Sequence, residues 1–229
     1  MKKLVILYFL FPIFAFSQNY HSPLNLPNYD LKTVHFGFLL GINNLDFKIT
    51  KNPDVDESLF VLKSQDQKGF NMGVISNFRL NRNLDFRITP TLSLAERKIM
   101  YVIEENNVPI EEKKSIESTF IEMPLSLKFK SERYNNGRVY MLTGLKYSLD
   151  LASLRNINDE GLELVKIKEN DISYEIGLGL DFYLEFFKFS TELKGSFGLF
   201  NLINKDESIY SNSIESLKSR GFTVTFTFE

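Results

Sequence analysis

From residue 35 onward, apolar and polar residues alternate with a period of two in eight segments, the signature of strands with one greasy face. In 35–42, Phe36, Phe38, Leu40 and Ile42 share one face, and His35, Gly37, Leu39 and Gly41 the other. The pattern recurs over 69–80, 84–95, 119–129, 138–148, 173–184, 187–200 and 221–228. The last segment sets Phe222, Val224, Phe226 and Phe228 against Thr223, Thr225 and Thr227. Most segments are near the roughly 9–11 residues that a tilted membrane strand needs. An even number of such strands can close on itself, which removes the unpaired backbone edge that hydrocarbon penalises. The pattern therefore predicts an all-β fold: an eight-stranded antiparallel up-and-down transmembrane barrel of the OmpA/OmpX type, contacting outer-membrane lipid.

The connections alternate in length. Long ones are expected at roughly 48–68, 98–114, 149–170 and 201–218, and short ones at 81–83, about 130–137 and 185–186. Outer-membrane barrels have short periplasmic turns and longer outer loops. A barrel that starts in the periplasm would place the four long connections outside. Pro90 and Pro124 fall within segments and lack the backbone donor of a ladder, so each marks a bulge or a strained pairing.

The inward positions are heavily charged: Arg79, Asp85, Arg87, Glu122, Arg138, Lys146, Glu175, Asp181, Glu192 and Lys194. An eight-stranded barrel is only wide enough to be filled by side chains, and charges buried there must be paired. The expectation is a plug of ion pairs. Gly37, Gly41, Gly73, Gly144, Gly177 and Gly179 on the same face leave room for long side chains to cross.

Residues 1–17 read as a signal peptide. Lys2 and Lys3 precede the apolar run 4–16, which is too short to span a bilayer as a helix, and Ala15-Phe16-Ser17 resembles a small-x-small cleavage site. Residues 18–33 would form a periplasmic N-terminal arm, and 34–229 the barrel domain in the outer membrane of a Gram-negative bacterium. Composition supports a thin lipid-facing shell: 22 Phe and 10 Tyr, but no Trp. The net charge of -2 and the lack of a basic run exclude a nucleic-acid face.

Chemistry is sparse. The absence of Cys excludes disulfides and thiolate metal sites. The two His, His21 and His35, lie far from any outer rim, so no base is offered to a serine nucleophile. The loop acids Asp54, Asp56, Glu57, Glu104, Glu105, Glu111 and Glu112 read as a solvated face rather than a metal site. No enzyme activity, cofactor, metal or small-molecule substrate is expected. Loop 149–170 carries Leu149, Leu151, Leu154, Ile157, Leu162, Leu164, Val165 and Ile167 among charges. It suits either a contact surface or a cap over the mouth.

The segment 26–47 carries a resemblance. Leu26, Pro27, Asn28, Tyr29 and Asp30, then His35, Phe36, Gly37 and Phe38, then Gly41, Asn43, Asp46 and Phe47 resemble the start of the PorT/SprT family of outer-membrane barrels from Bacteroidetes. Glu122-Met123-Pro124-Leu125, Asp150-Leu151-Ala152-Ser153 and Glu192-Leu193-Lys194 resemble later parts of that family. The resemblance implies a non-enzymatic component or assembly factor of the type IX secretion system, and of gliding machinery where present. Its partners would be other secretion-system proteins of the outer membrane or periplasm, met through the 26–46 motif, and the barrel assembly machinery. The usual aromatic last residue is displaced here, since Glu229 follows Phe228. The alternative is a structural or adhesin-like binding barrel unrelated to secretion.

Overall fold

The computed structural model describes residues 23–52, 59–65, 67–105, 108–151, 167–203 and 214–229. Residues 1–17, expected to be a signal peptide, together with His21, the acids Asp54, Asp56 and Glu57, and most of the expected loop 149–170, lie outside the described residues. Among the described residues, ten strands follow a 3-10 turn at Tyr29–Leu31: β1 (Val34–Lys51), β2 (Leu59–Gln65), β3 (Gln67–Arg79), β4 (Leu84–Ile88), β5 (Thr91–Glu105), β6 (Val108–Lys130), β7 (Gly137–Asp150), β8 (Asn170–Tyr183), β9 (Lys188–Gly198) and β10 (Ile214–Phe228).

Every pairing among them is antiparallel. β1 pairs with β10 on one side and β3 on the other. From β3 the pairing passes through β4 and β5 to β6, β7, β8, β9 and β10, so the ladder returns to its start in a barrel-like sheet. In place of the expected eight strands, the described residues form ten, and two interruptions separate consecutive elements. The first interruption lies between β4 and β5 at Thr89 and Pro90. Ile88 faces Leu125 before it and Thr91 faces Glu122 after it, in one unbroken register. The interruption is a gap rather than a bulge. Pro90 and Pro124, which cannot donate to a ladder, stand at the same level, and the Thr89 N–H still donates to the Pro124 carbonyl at 3.1 Å. The second lies between β2 and β3. Gln65 faces Lys98, whereas Phe70 faces Leu94, a one-residue change of register along β5.

Two of the expected long connections are corrected. β1 continues in pairing with β10 to Lys51, and β5 and β6 pair up to Glu105 and Val108. Residues 98–114 are therefore mostly a hairpin, and the acids Glu104, Glu105, Glu111 and Glu112 lie on its paired backbone. The period-two signal that marks a strand between an apolar and a polar surrounding fades there. The backbone ladder needs no such environment to continue.

The alternation itself sets the faces. Phe36, Ile42, Val74, Leu145, Leu178, Phe197 and Phe222 are exposed on the outer wall, while Asn71, Arg87, Lys128, Asp181, Ser190 and Thr227 are buried inside. Five outward Phe rings, Phe38, Phe182, Phe189, Phe226 and Phe228, pack in a chain of stacked or tilted pairs across β1, β10, β9 and β8.

The short turns are close to expectation. Asn135-Asn136 closes a two-residue hairpin, with Tyr134 and Gly137 exchanging both backbone bonds (2.9 and 3.0 Å). Asn135 takes φ 50°, a left-handed conformation that Asn tolerates.

Candidate functional site: a filled lumen sealed at one end

The inward face holds two groups of charges. Nearer the short turns, five cations meet five carboxylates. Asp181 accepts two bonds from Lys128 Nζ (2.9 and 3.0 Å), one from Arg138 Nε (3.3 Å) and one from Ser190 Oγ (2.7 Å). Arg87 pairs with Glu192 and, at 3.0 Å, with Glu229. Lys188 reaches the same Glu229 oxygen at 3.0 Å. Lys130 pairs with Asp85 at 2.6 Å, and Arg138 reaches Asp30 at 2.8 Å. Tyr140 sits at the centre. Its hydroxyl donates to Glu192 (2.8 Å), and Lys128 Nζ lies 3.6 Å from its ring centroid, a cation–π contact strengthened by exclusion of water.

Nearer the long connections, Lys146 pairs with Glu122 at 2.9 Å and approaches Glu175 at 3.6 Å. A neutral group lies beside it: Asn43 donates to Asn71 and to Ser93 Oγ (2.9 Å), and Ser93 donates to Asn71 (3.0 Å). Lys194 stands 3.7 Å from Glu192, linking the two levels. Arg79 is only half-buried at the end of β3, and no ion pair to it is found among the described residues.

The motif 26–46 is divided between the two ends. Leu26 to Asp30 lie across the short-turn opening. Asn25 donates from its backbone to Asn136 Oδ1 (2.9 Å) and from its side chain to the Tyr183 carbonyl (3.0 Å). Arg133 donates to the Asn25 carbonyl. The Tyr29 hydroxyl donates to Glu229 (3.2 Å), and Tyr183 donates to Asp30 (3.1 Å). The His35 ring stacks on Tyr29 at 4.1 Å, with Nε2 2.7 Å from the Tyr29 carbonyl. Leu26 takes φ 50°, an unfavourable backbone for a branched residue that these bonds hold in place. Pro27 and Asn28 are exposed. Phe36 faces outward, Gly37 and Gly41 inward, and Asp46 pairs with Arg220 at the far end (2.7 Å).

Lys128, Lys130, Lys188, Tyr140 and Glu229 complete the network beyond the ten charges expected to pair, and of these Lys128, Tyr140 and Lys188 lie on the polar face that the alternation defines. Glu229 is the least obvious. It follows the last apolar residue, and its only signal is an odd number, shared with the inward Thr225 and Thr227. It lies past the end of β10. Burial alone would raise its pKa, but the opposing charge of Lys188 and Arg87 prevails and holds it at about 2. A depressed carboxylate contributes stability that is present above its unfolded pKa and lost as pH falls through the folded value. Stability is therefore expected to drop between roughly pH 4.5 and 2, and Glu229→Gln to flatten part of that drop in an acid titration followed by tryptophan-free far-UV signal. An unchanged acid limb in the variant would rule Glu229 out as a contributor.

Among the described residues, no group of three or more His, Asp or Glu is arranged to hold a metal ion. The arrangement is that of an all-β, antiparallel, barrel-like membrane protein with a packed, ion-paired interior. The chain belongs to the outer membrane protein β-barrel domain family, whose model matches residues 16–204. It is an outer-membrane protein, and barrels of this class are typically non-enzymatic. Neisserial surface protein A is similar in structure, with 10% identity, a TM-score of 0.43 and coverage of 86% of this chain and 98% of that one. OprG of Pseudomonas aeruginosa gives 12% identity, a TM-score of 0.44 and coverage of 86% and 93%. In sequence, the human protein NDNF is 28% identical over 144 residues, 62% of this chain but 24% of its own length, so the chain spans about a quarter of that relative.

A lipid-facing outer wall has a direct consequence. Leu178 stands outward in the middle of β8, 64% exposed. Leu178→Arg is expected to cost about 2–4 kcal/mol in urea unfolding from lipid vesicles, whereas Leu31→Arg on the arm costs little. Equal, small losses at both sites would contradict the assignment of that wall to lipid.

Proposed function

We propose that the ring of pairings is an eight-stranded up-and-down barrel across the outer membrane, preceded by a signal peptide at 1–17 and a periplasmic arm at 18–33. Its role is that of a structural or adhesin-like binding barrel working through protein contacts at its outer end. The observation that carries this is strand length. A tilted strand crosses with about 9–11 residues, yet β6 has 23 and β1 has 18. The surplus of β6, on the order of 40 Å of extended chain, lies toward the long connections. With the short turns in the periplasm, β2, β5 and β6 stand as a sheet clear of the membrane on the outside. The filled lumen supports the same reading, because it leaves the ends and the wall as the working surfaces.

A second reading is favoured by a different observation. The specific part of the PorT/SprT resemblance is the opening segment 26–47, and its first residues, Leu26 to Asp30, lie across the short-turn opening. That supports an accessory role in type IX secretion, with secretion-system partners met at this periplasmic face.

A gene deletion separates the two. The first reading expects loss of surface attachment or envelope integrity with secretion unchanged. A block in secretion of C-terminally tagged cargo with attachment intact replaces it by the second. Purified protein in planar bilayers is expected to show no steady conductance, and an open channel would sink the filled lumen under either reading.

A further inference from the structure

The two charge groups of the lumen are not alike. The five cations and five carboxylates nearer the short turns balance. At the other mouth, Lys146 is the one ammonium paired with both Glu122 and Glu175, and Asp171 lies one strand away with no ion pair to it among the described residues. Asp171 is 8% exposed. Ser173 donates to its Oδ2 at 3.3 Å, while Oδ1 is buried without a hydrogen-bond partner. A buried carboxylate oxygen left unpaired costs free energy comparable to a lost charged hydrogen bond, so its retention calls for an occupant.

Asp171 lines a cavity of about 30 Å³, whose wall also carries serines, the acids Glu122 and Asp150 and the cation Lys146, with Lys168 and Arg220 at its rim. Roughly 10–15 Å³ of such volume holds one water, so the space suits a single small head group. We propose that this mouth binds a primary ammonium group presented from outside the cell, with Asp171 as its counter-ion. The donor set selects that chemistry. An ammonium has three N–H donors, and the cavity offers the unpartnered Oδ1 of Asp171 and the hydroxyls of four lining serines, Ser148, Ser173, Ser196 and Ser219. A guanidinium pairs best with both carboxylate oxygens as a fork, and Ser173 already holds one of them. A divalent metal needs several carboxylates around one point, which the described residues do not supply there. Lys146 pairs with Glu122 and Glu175 and leaves Asp171 outside any ion pair among the described residues.

This goes beyond a general binding role, and it rests on the outward orientation of that end only for the source of the amine. Binding to purified protein tests the site, while surface labelling of a tag at 106–107 tests the orientation separately. The full chain in lipid nanodiscs is titrated with spermidine, with the methylamide of N-acetyl-lysine, and with tetramethylammonium, which carries the charge but no N–H. Both amines are expected to raise the thermal midpoint, and tetramethylammonium to leave it unchanged. A free polyamine as natural source predicts tighter binding of spermidine, and a lysine side chain predicts tighter binding of the lysine derivative. Asp171→Asn is expected to weaken amine binding roughly tenfold or more, the worth of one charge-assisted bond, while Lys194→Gln, outside the cavity, leaves it intact. The proposal is overturned by no shift with either amine, by an equal shift with tetramethylammonium, or by a calcium-induced shift that Asp171→Asn removes.

Discussion

Asp181→Ala is expected to destabilise the protein by about 3–5 kcal/mol, the usual cost of breaking a buried ion pair from one side. Asp181 is fully buried and takes bonds from Lys128, Arg138 and Ser190 at once. Removing it leaves two cations facing each other in a dry lumen. Lys128 can shed its proton, whereas Arg138 cannot, so relief is partial. Urea unfolding from lipid vesicles measures the loss. The double variant Asp181→Ala with Lys128→Met is expected to recover part of it, because the stranded ammonium is then gone and a side chain of similar length still packs against Tyr140. If the double variant is no better than the single one, the cost lies in lost packing rather than in unpaired charge. A loss below about 1 kcal/mol, the range of exposed ion pairs, would mean that water reaches Asp181.

Gly144→Ala is the second large effect, and its sign runs against propensity. Glycine weakens strands, so alanine in a strand interior is ordinarily a gain. At Gly144, however, a Cβ would fall inside van der Waals contact of the Leu125 carbonyl and 2.7 Å from the Ser126 Cα. Both are backbone atoms of β6, and they cannot yield without moving the β6–β7 ladder. A loss of about 1–3 kcal/mol or more is expected, as for overpacking in a tight core. Gly195→Ala is the control. There the added atom would meet only the Phe197 ring at 3.5 Å, an ordinary contact, so stability is held or slightly improved. Equal behaviour of the two variants in unfolding from vesicles would show that propensity decides, and that the approach of β6 to β7 is looser than described.

Much of this was legible in the residues. Outward Phe36, Leu145 and Leu178, and inward Arg87, Asp181 and Glu192, follow from parity alone, because a strand between lipid and a packed interior has no other way to place them. The short turns at 81–83 and 135–136 were legible from their Asn and Gly. The lengths of β1, β5 and β6 were not. Outside the membrane the constraint that writes the alternation is lifted, so paired and unpaired backbone look the same in sequence. Nor does alternation say who pairs with whom. It puts Lys128 and Asp181 on the polar face but does not bring β6 and β8 side chains together across the interior.

The sequence by itself determined the face of each side chain and the requirement that charges inside be matched, because both follow from local geometry and the cost of an uncompensated charge. The tertiary structure alone decided the partners. Only the meeting of β1 with β10 delivers Glu229 to Arg87 and Lys188 and sets the arm's Tyr29 and Asp30 over the opening. Only the spacing across the sheet leaves one mouth of the lumen balanced and the other with Asp171 unmatched. Those contacts join residues far apart in the chain, and the distances between them exist only once the sheet has curved back on itself.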